Sequence, residues 1–101
     1  MVSLKKLLYV VGTVTGDDDN KYMTFRDMCT HFDECDVYET LLSRVRSQVN
    51  AHKNLFAVKR VGGRVFWKLN ANGRNYLNKF KDSYDPINDR LLFKAENIEV
   101  L

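Results

Sequence analysis

The chain has 101 residues, 45% hydrophobic and 12% aromatic, which suits one small globular domain around one modest core. Five Gly and one Pro exclude collagen-like and Pro-rich disordered classes, and two Cys exclude a disulfide framework. The longest apolar run, residues 7–11, is far shorter than the roughly 20 residues of a membrane span, and no secretory signal is readable at the start. The expectation is a soluble, cytoplasmic protein, or one of the host cytoplasm if viral, with no membrane partner.

The net charge of +3 hides a strong segregation. Residues 1–39 carry 4 Lys and Arg against 8 Asp and Glu, and residues 82–101 carry 2 against 5. Between them, residues 40–81 carry 10 cations and no acid. A segment of this kind creates a field that attracts phosphate, so nucleic acid is the partner class it favours. The rival is a solvated basic face without a partner.

In chain order, Leu4, Leu7, Leu8 and Val11 repeat at i, i+3, i+4, i+7, which predicts a helix capped by Ser3. The β-branched residues around Gly12 predict its end there. Residues 16–21, with Asp17-Asp18-Asp19, form a polar loop, and Tyr22-Met23 a short strand. Thr24 and Asp27 predict a capped helix over 25–32, with Phe25, Met28, Cys29 and Phe32 on one face. After a brief turn, Asp36 and Glu39 have capping-box spacing for a helix over 37–51. Val37, Tyr38, Leu41, Leu42, Val45 and Val49 gather on its apolar side. The opposite side carries Glu39, Thr40, Ser43, Arg46, Ser47 and Asn50, with Arg44 at its edge.

Residues 55–61 and 64–69 are strand-like runs around Gly62-Gly63, a two-residue hairpin signal because both positions can take φ > 0. That turn pairs Val61 with Arg64, Lys59 with Phe66, Val58 with Trp67 and Phe56 with Leu69. Alternation then puts Phe56, Val58, Val65, Trp67 and Leu69 on a core face, and Lys59, Val61, Arg64, Phe66 and Lys68 on the other. Arg60 falls on the core-side face but near the tip. Trp67 is expected against the first and third helices, with Val58 beside it. Asn70 caps a last helix with Tyr76, Leu77 and Phe80 inward. Beyond the break at Asp85-Pro86, residues 88–99 could form a further short helix, with Leu91, Leu92, Ala95 and Ile98 apolar.

The order helix, short strand, helix, turn, longer helix, Gly-tipped hairpin, helix resembles the winged helix-turn-helix domain, an α+β fold, over about residues 3–81. The most specific piece is Phe66-Trp67-Lys68-Leu69-Asn70-Ala71-Asn72-Gly73-Arg74-Asn75-Tyr76-Leu77. It is similar to the segment that closes the wing in many bacterial and archaeal regulators, with Asn70 where Thr is usual. The resemblance implies that helix 37–51 is the recognition helix and hairpin 56–69 the wing. Ser43, Arg46, Ser47 and Asn50 would then face the major groove, where Arg46 can bridge a guanine edge and Asn50 an adenine edge. Thr40 and Arg44 suit flanking phosphates. Lys59, Arg60 and Arg64 surround the hairpin tip and suit backbone or minor groove.

Other chemistry is weaker. Cys29, His31 and Cys35 fit no standard zinc spacing and lack a fourth ligand, so no metal or cofactor is expected. Asp17–Asp19 lacks the rest of a calcium loop. No nucleophile motif, Gly-rich phosphate loop or small-molecule site is readable, so no enzyme is expected. The leading expectation is a sequence-specific double-stranded DNA-binding protein acting as a small transcriptional regulator. The alternative is a winged-helix protein-interaction module that uses Val61 and Phe66. A homodimer is expected on a two-fold site. Residues 82–101, an arm holding Leu91, Leu92, Phe93, Ile98, Val100 and Leu101, are its candidate surface, and the rival is an arm folded back over the first helix.

Overall fold

The computed structural model describes residues 2–33 and 37–91. Four helices, α1 (Leu4–Thr15), α2 (Phe25–Cys29), α3 (Tyr38–Ala51) and α4 (Ala71–Asn78), surround a hairpin of β1 (Phe56–Val61) and β2 (Arg64–Leu69) in an α+β domain. A second, two-residue hairpin pairs β3 (Tyr84–Asp85) with β4 (Arg90–Leu91). No helix among the described residues is long and apolar enough to cross a membrane.

α1 is the central element. Leu7, Leu8 and Val11 are fully buried, and Ser3 Oγ accepts from the Lys6 amide as its cap. The helix does not end near Gly12 but continues to Thr15. Two features permit this. A Cβ at Gly12 would overlap the end of the Leu77 side chain, so glycine here lets α1 and α4 approach closely. Thr15 is buried, and its hydroxyl donates to the Val11 carbonyl at 2.6 Å, which satisfies the polar atom inside the helix. Gly16, at φ 52°, then closes the helix with its N–H on the Gly12 carbonyl.

The Thr24–Asp27 capping box forms: Thr24 Oγ1 accepts from the Asp27 amide and Asp27 Oδ2 from the Thr24 amide, each at 3.1 Å. α2 is shorter than the apolar spacing predicts, although Phe32 is still buried beyond its end. In α3, Leu41, Val45 and Val49 are buried and Leu42 is half-buried. Val37 and Tyr38 depart from the predicted apolar side and are exposed, because the first turn projects past the core. Val37 is the N-cap and makes no side-chain cap bond; the predicted Asp36 cap lies outside the described residues.

The hairpin register is the predicted one, from Phe56 opposite Leu69 to Val61 opposite Arg64. Phe56, Trp67 and Leu69 are buried and Val65 is half-buried. Val58 corrects the expected core face: it is 48% exposed although it pairs with the buried Trp67. The core lies under β2, whereas β1 is the outer strand and outruns it. Trp67 stacks on Phe25 of α2, with ring centroids 5.5 Å apart, and meets Phe56 edge-on at 6.3 Å. Its backbone also pairs with Met23, N–H to carbonyl at 2.7 Å in both directions, so residue 23 adds a one-residue third strand.

Asn70 caps α4 with Oδ1 on the Gly73 amide, at 2.9 Å. Its Nδ2 donates to the Asn54 carbonyl at 2.8 Å, so the same side chain ties the helix start to the segment before β1. A Cβ at Gly73 would overlap the Leu55 carbonyl oxygen, which itself accepts from the Asn70 amide.

The core continues past residue 81. Tyr84 is buried against Tyr9 and Phe80, and Leu91 packs on the core from the side. Asp85 Oδ1 accepts from the Ile87 amide, and Asp89 adopts φ 50°, so residues 85–89 form a polar turn rather than the start of the predicted helix over 88–99. Asp89 Oδ1 accepts from Tyr84 Oη and Ser3 Oγ and ties this turn to the start of α1. The rest of that predicted helix, and half of the expected self-association segment, residues 92–101, lie outside the described residues.

Two substitutions test this packing. Trp67→Ala should cost about 3–5 kcal/mol in a denaturant titration, as for other buried aromatics. Gly73→Ala should destabilise by about 1–3 kcal/mol, because a backbone carbonyl has to move. Gly12→Ala meets only a side-chain end and gains helix propensity, so its melting midpoint should fall less than that of Gly73→Ala.

Candidate nucleic-acid interface

α3 presents its polar residues to solvent as one continuous stripe. With Val45 at the centre of the buried line, Ser43, Ser47, Thr40 and Asn50 are turned about 140–160° away, at about 100° per residue. Arg44 and Arg46 stand about 100° to either side and so flank the stripe. All six are exposed. The flank beyond Arg44 is fastened by Gln48, whose Nε2 donates to the Val2 carbonyl at 2.6 Å. The other flank faces α2 and the hairpin, where the Arg46 guanidinium lies 5.9 Å from the centre of the Phe25 ring.

The hairpin tip carries Lys59, Arg60, Val61 and Arg64, all exposed. Gly62 and Gly63 sit at φ 56° and 80°, the two positive angles of the tight turn expected from their sequence. Between α2, α3 and this tip runs a cleft of about 670 Å³, lined in part by Thr24, Phe25, Arg26, Arg46, Arg64 and Phe66. Arg46 and Arg64 therefore share one surface. Lys59 is placed differently: its Nζ lies 5.3 Å from the centre of the Tyr22 ring, and Lys68 approaches the same ring at 5.1 Å. Lys68 Nζ also reaches Asp19 Oδ1 at 3.5 Å. The predicted outer face of the hairpin is thus partly covered by the segment before Met23, and Phe66 is half-buried there.

Two residues of this surface escaped sequence reasoning. Arg26 belongs to the net-acidic first third of the chain, yet in space it lines the cleft beside Arg46. Tyr22 was assigned to a strand and carries the two lysines. The signal for both was their nearness to the Thr24 cap, which faces the hairpin. Cys29 lies beneath this region. Burial pushes its thiol up, and the Arg26 and Arg46 charges pull part of that back. A buried thiol with a raised pKa is a packing group rather than a nucleophile. Among the described residues no three His, Cys, Asp or Glu gather to hold a metal ion.

The chain matches no family model, no curated protein and no solved structure.

The tip geometry gives a direct test of its backbone. Gly63→Ala should lower stability by about 1 kcal/mol, because an L side chain is disfavoured at this positive φ. Gly62→Asn should leave the melting midpoint nearly unchanged, since Asn-Gly is a favoured pair in such turns. Circular dichroism melts of the two variants read the difference.

Proposed function

We propose that the chain is a winged helix-turn-helix protein that binds double-stranded DNA in a sequence-specific way, as a small transcriptional regulator. One observation carries the reading. The exposed polar stripe of α3 and the basic, Gly-turned hairpin tip, both from a 42-residue segment without an acid, stand on either side of a cleft lined by Arg46 and Arg64 and by Arg26 from outside that segment. α3 takes the role of recognition helix and the hairpin that of wing. An α-helix about 10–12 Å across fits the major groove, which is about 12 Å wide. Ser43, Ser47 and Asn50 are short enough to hydrogen-bond base edges at that approach. Arg44, Arg60 and Lys59 meet phosphates on either side and set the register. Two copies on a two-fold site would double the contacts of one helix.

A second reading is favoured by Val58 and Val61, exposed at 48% and 51% on the hairpin. They suit a protein partner gripping the wing. Salt separates the two. With Arg44, Arg46, Lys59, Arg60 and Arg64 on phosphates, log K for duplex binding should fall against log salt with a slope of about −4 to −5. Fluorescence anisotropy over a salt series reads it, and a wild-type chain that retains no duplex at low salt overturns the DNA reading. Asn50→Ala should cost about 1–3 kcal/mol on a duplex selected from a randomised library and relax preference at one base position.

A further inference from the structure

We infer that the cleft between α2, α3 and the hairpin tip seats a backbone phosphate, held by Arg26, Arg46 and Arg64, so that Arg46 supplies affinity and not base preference. The inference deepens the DNA-binding reading and rests on it.

Three observations lead there. The first is direction. Arg46 leaves α3 at the flank of the stripe rather than from its crest, about 100° from the buried line. A side chain there points along the groove wall, where phosphates stand, while Ser43, Ser47 and Asn50 take the crest. The second is orientation. The guanidinium of Arg46 lies over Phe25, whose other neighbour is the buried Trp67, stacked at 5.5 Å. The contact uses the ring's π face and no hydrogen-bond acceptor, so the N–H donors of the guanidinium are left for a pair of oxygens. Arg26 is positioned in a similar way, 5.9 Å from the centre of the Tyr38 ring.

The third is charge. Arg26, Arg46 and Arg64 line one cleft and, among the described residues, none has a carboxylate within ion-pair distance. Asp27 is the acid of that cleft, and its Oδ2 is held by the Thr24 amide. Three cations against one acid leave a net positive seat. Its ligand class is a phosphodiester, whose oxygens can each take an N–H from a different arginine.

The test uses the full chain, with a random-sequence duplex, a duplex selected from a randomised library, and a short abasic strand that carries phosphodiesters and no bases. Arg26→Ala, Arg46→Ala and Arg64→Ala should each weaken both duplexes by the same factor, about 3–10-fold, and each reduce the salt slope by about 0.9. The ratio of selected to random affinity should not change. Arg46→Lys should keep the slope, because it keeps the charge. The Arg64 variant lies at an exposed tip and tests the seat even if a change beneath α3 disturbs folding. A fall in the selected-to-random ratio with Arg46→Ala overturns the inference, because Arg46 then reads a base. Unchanged salt slopes in the Arg26 and Arg46 variants also overturn it, while the DNA reading stands. Abasic-strand binding that depends on these arginines, in a chain that retains no duplex, supports the seat and removes the DNA reading. Binding of neither probe removes both.

Discussion

The two backbone hydrogen bonds between Met23 and Trp67 decide how the rest of this molecule is arranged. Each is 2.7 Å long, and together they lock the chain entering α2 onto the inner strand of the hairpin. Two residues further, Phe25 is thereby delivered onto the face of Trp67, and the Thr24 cap starts α2 at a fixed angle. α3 packs on α2, so its orientation against the hairpin follows from this one join. Without it, a two-stranded hairpin and a five-residue helix would be marginal elements. The indole nitrogen of Trp67 has no hydrogen-bond partner among the described residues. What holds the ring is therefore stacking and buried area rather than its polar handle.

That arrangement turns a charge pattern along the sequence into a charge pattern in space. Seven of the ten cations of residues 40–81 lie on α3, the hairpin and α4, and only some converge. Arg46 and Arg64 line one cleft, and Arg26 joins them there from outside the basic segment. Lys59 and Lys68 instead flank Tyr22, and Lys68 takes Asp19 as its partner. The acidic loop is thus set against the base of the hairpin while the tip stays positive. On the proposed reading, a tip with exposed cations and a base partly neutralised by Asp19 would orient an approaching polyanion toward the tip and α3.

The sequence made the hairpin register legible because a two-residue Gly-Gly turn leaves one pairing, and alternation then assigns every residue to a face. It could not show how far the core extends beneath that face, which is why Val58 was placed inside. The β-branched residues around Gly12 point to a helix end there, yet α1 runs on to Thr15. What decided it was the approach of Leu77 from a residue 65 positions away, which no local pattern contains. The apolar spacing of residues 88–99 points to a helix, but over the described residues 85–89 the Asp85 and Asp89 side chains bind nearby groups and favour a turn instead. The candidate site was legible on α3, where period and polarity coincide. Arg26 was not, because its role depends on which helix the hairpin meets.

The same packing makes the two halves of the candidate interface mechanically unlike. α3 is held from both flanks: by Phe25 under Arg46 on one side, and by the Gln48 bond to the Val2 carbonyl on the other. Val2 is itself buried, and Ser3 beside it is tied to Asp89 of the second hairpin. The crest of α3 is therefore presented at a set angle and height, which is what hydrogen bonding to base edges requires, because the donor–acceptor distance tolerates only a few tenths of an ångström. The hairpin tip is built the other way. Beyond Val65 neither strand is covered by the core, and the turn is two glycines with nothing within 4 Å of where their Cβ atoms would be. On the proposed reading, phosphate contacts suit such an uncovered tip, because charge attraction falls slowly with distance and tolerates a groove whose width varies with sequence. On the proposed reading, the helix held from both flanks therefore carries the base contacts, and the uncovered tip carries phosphate contacts.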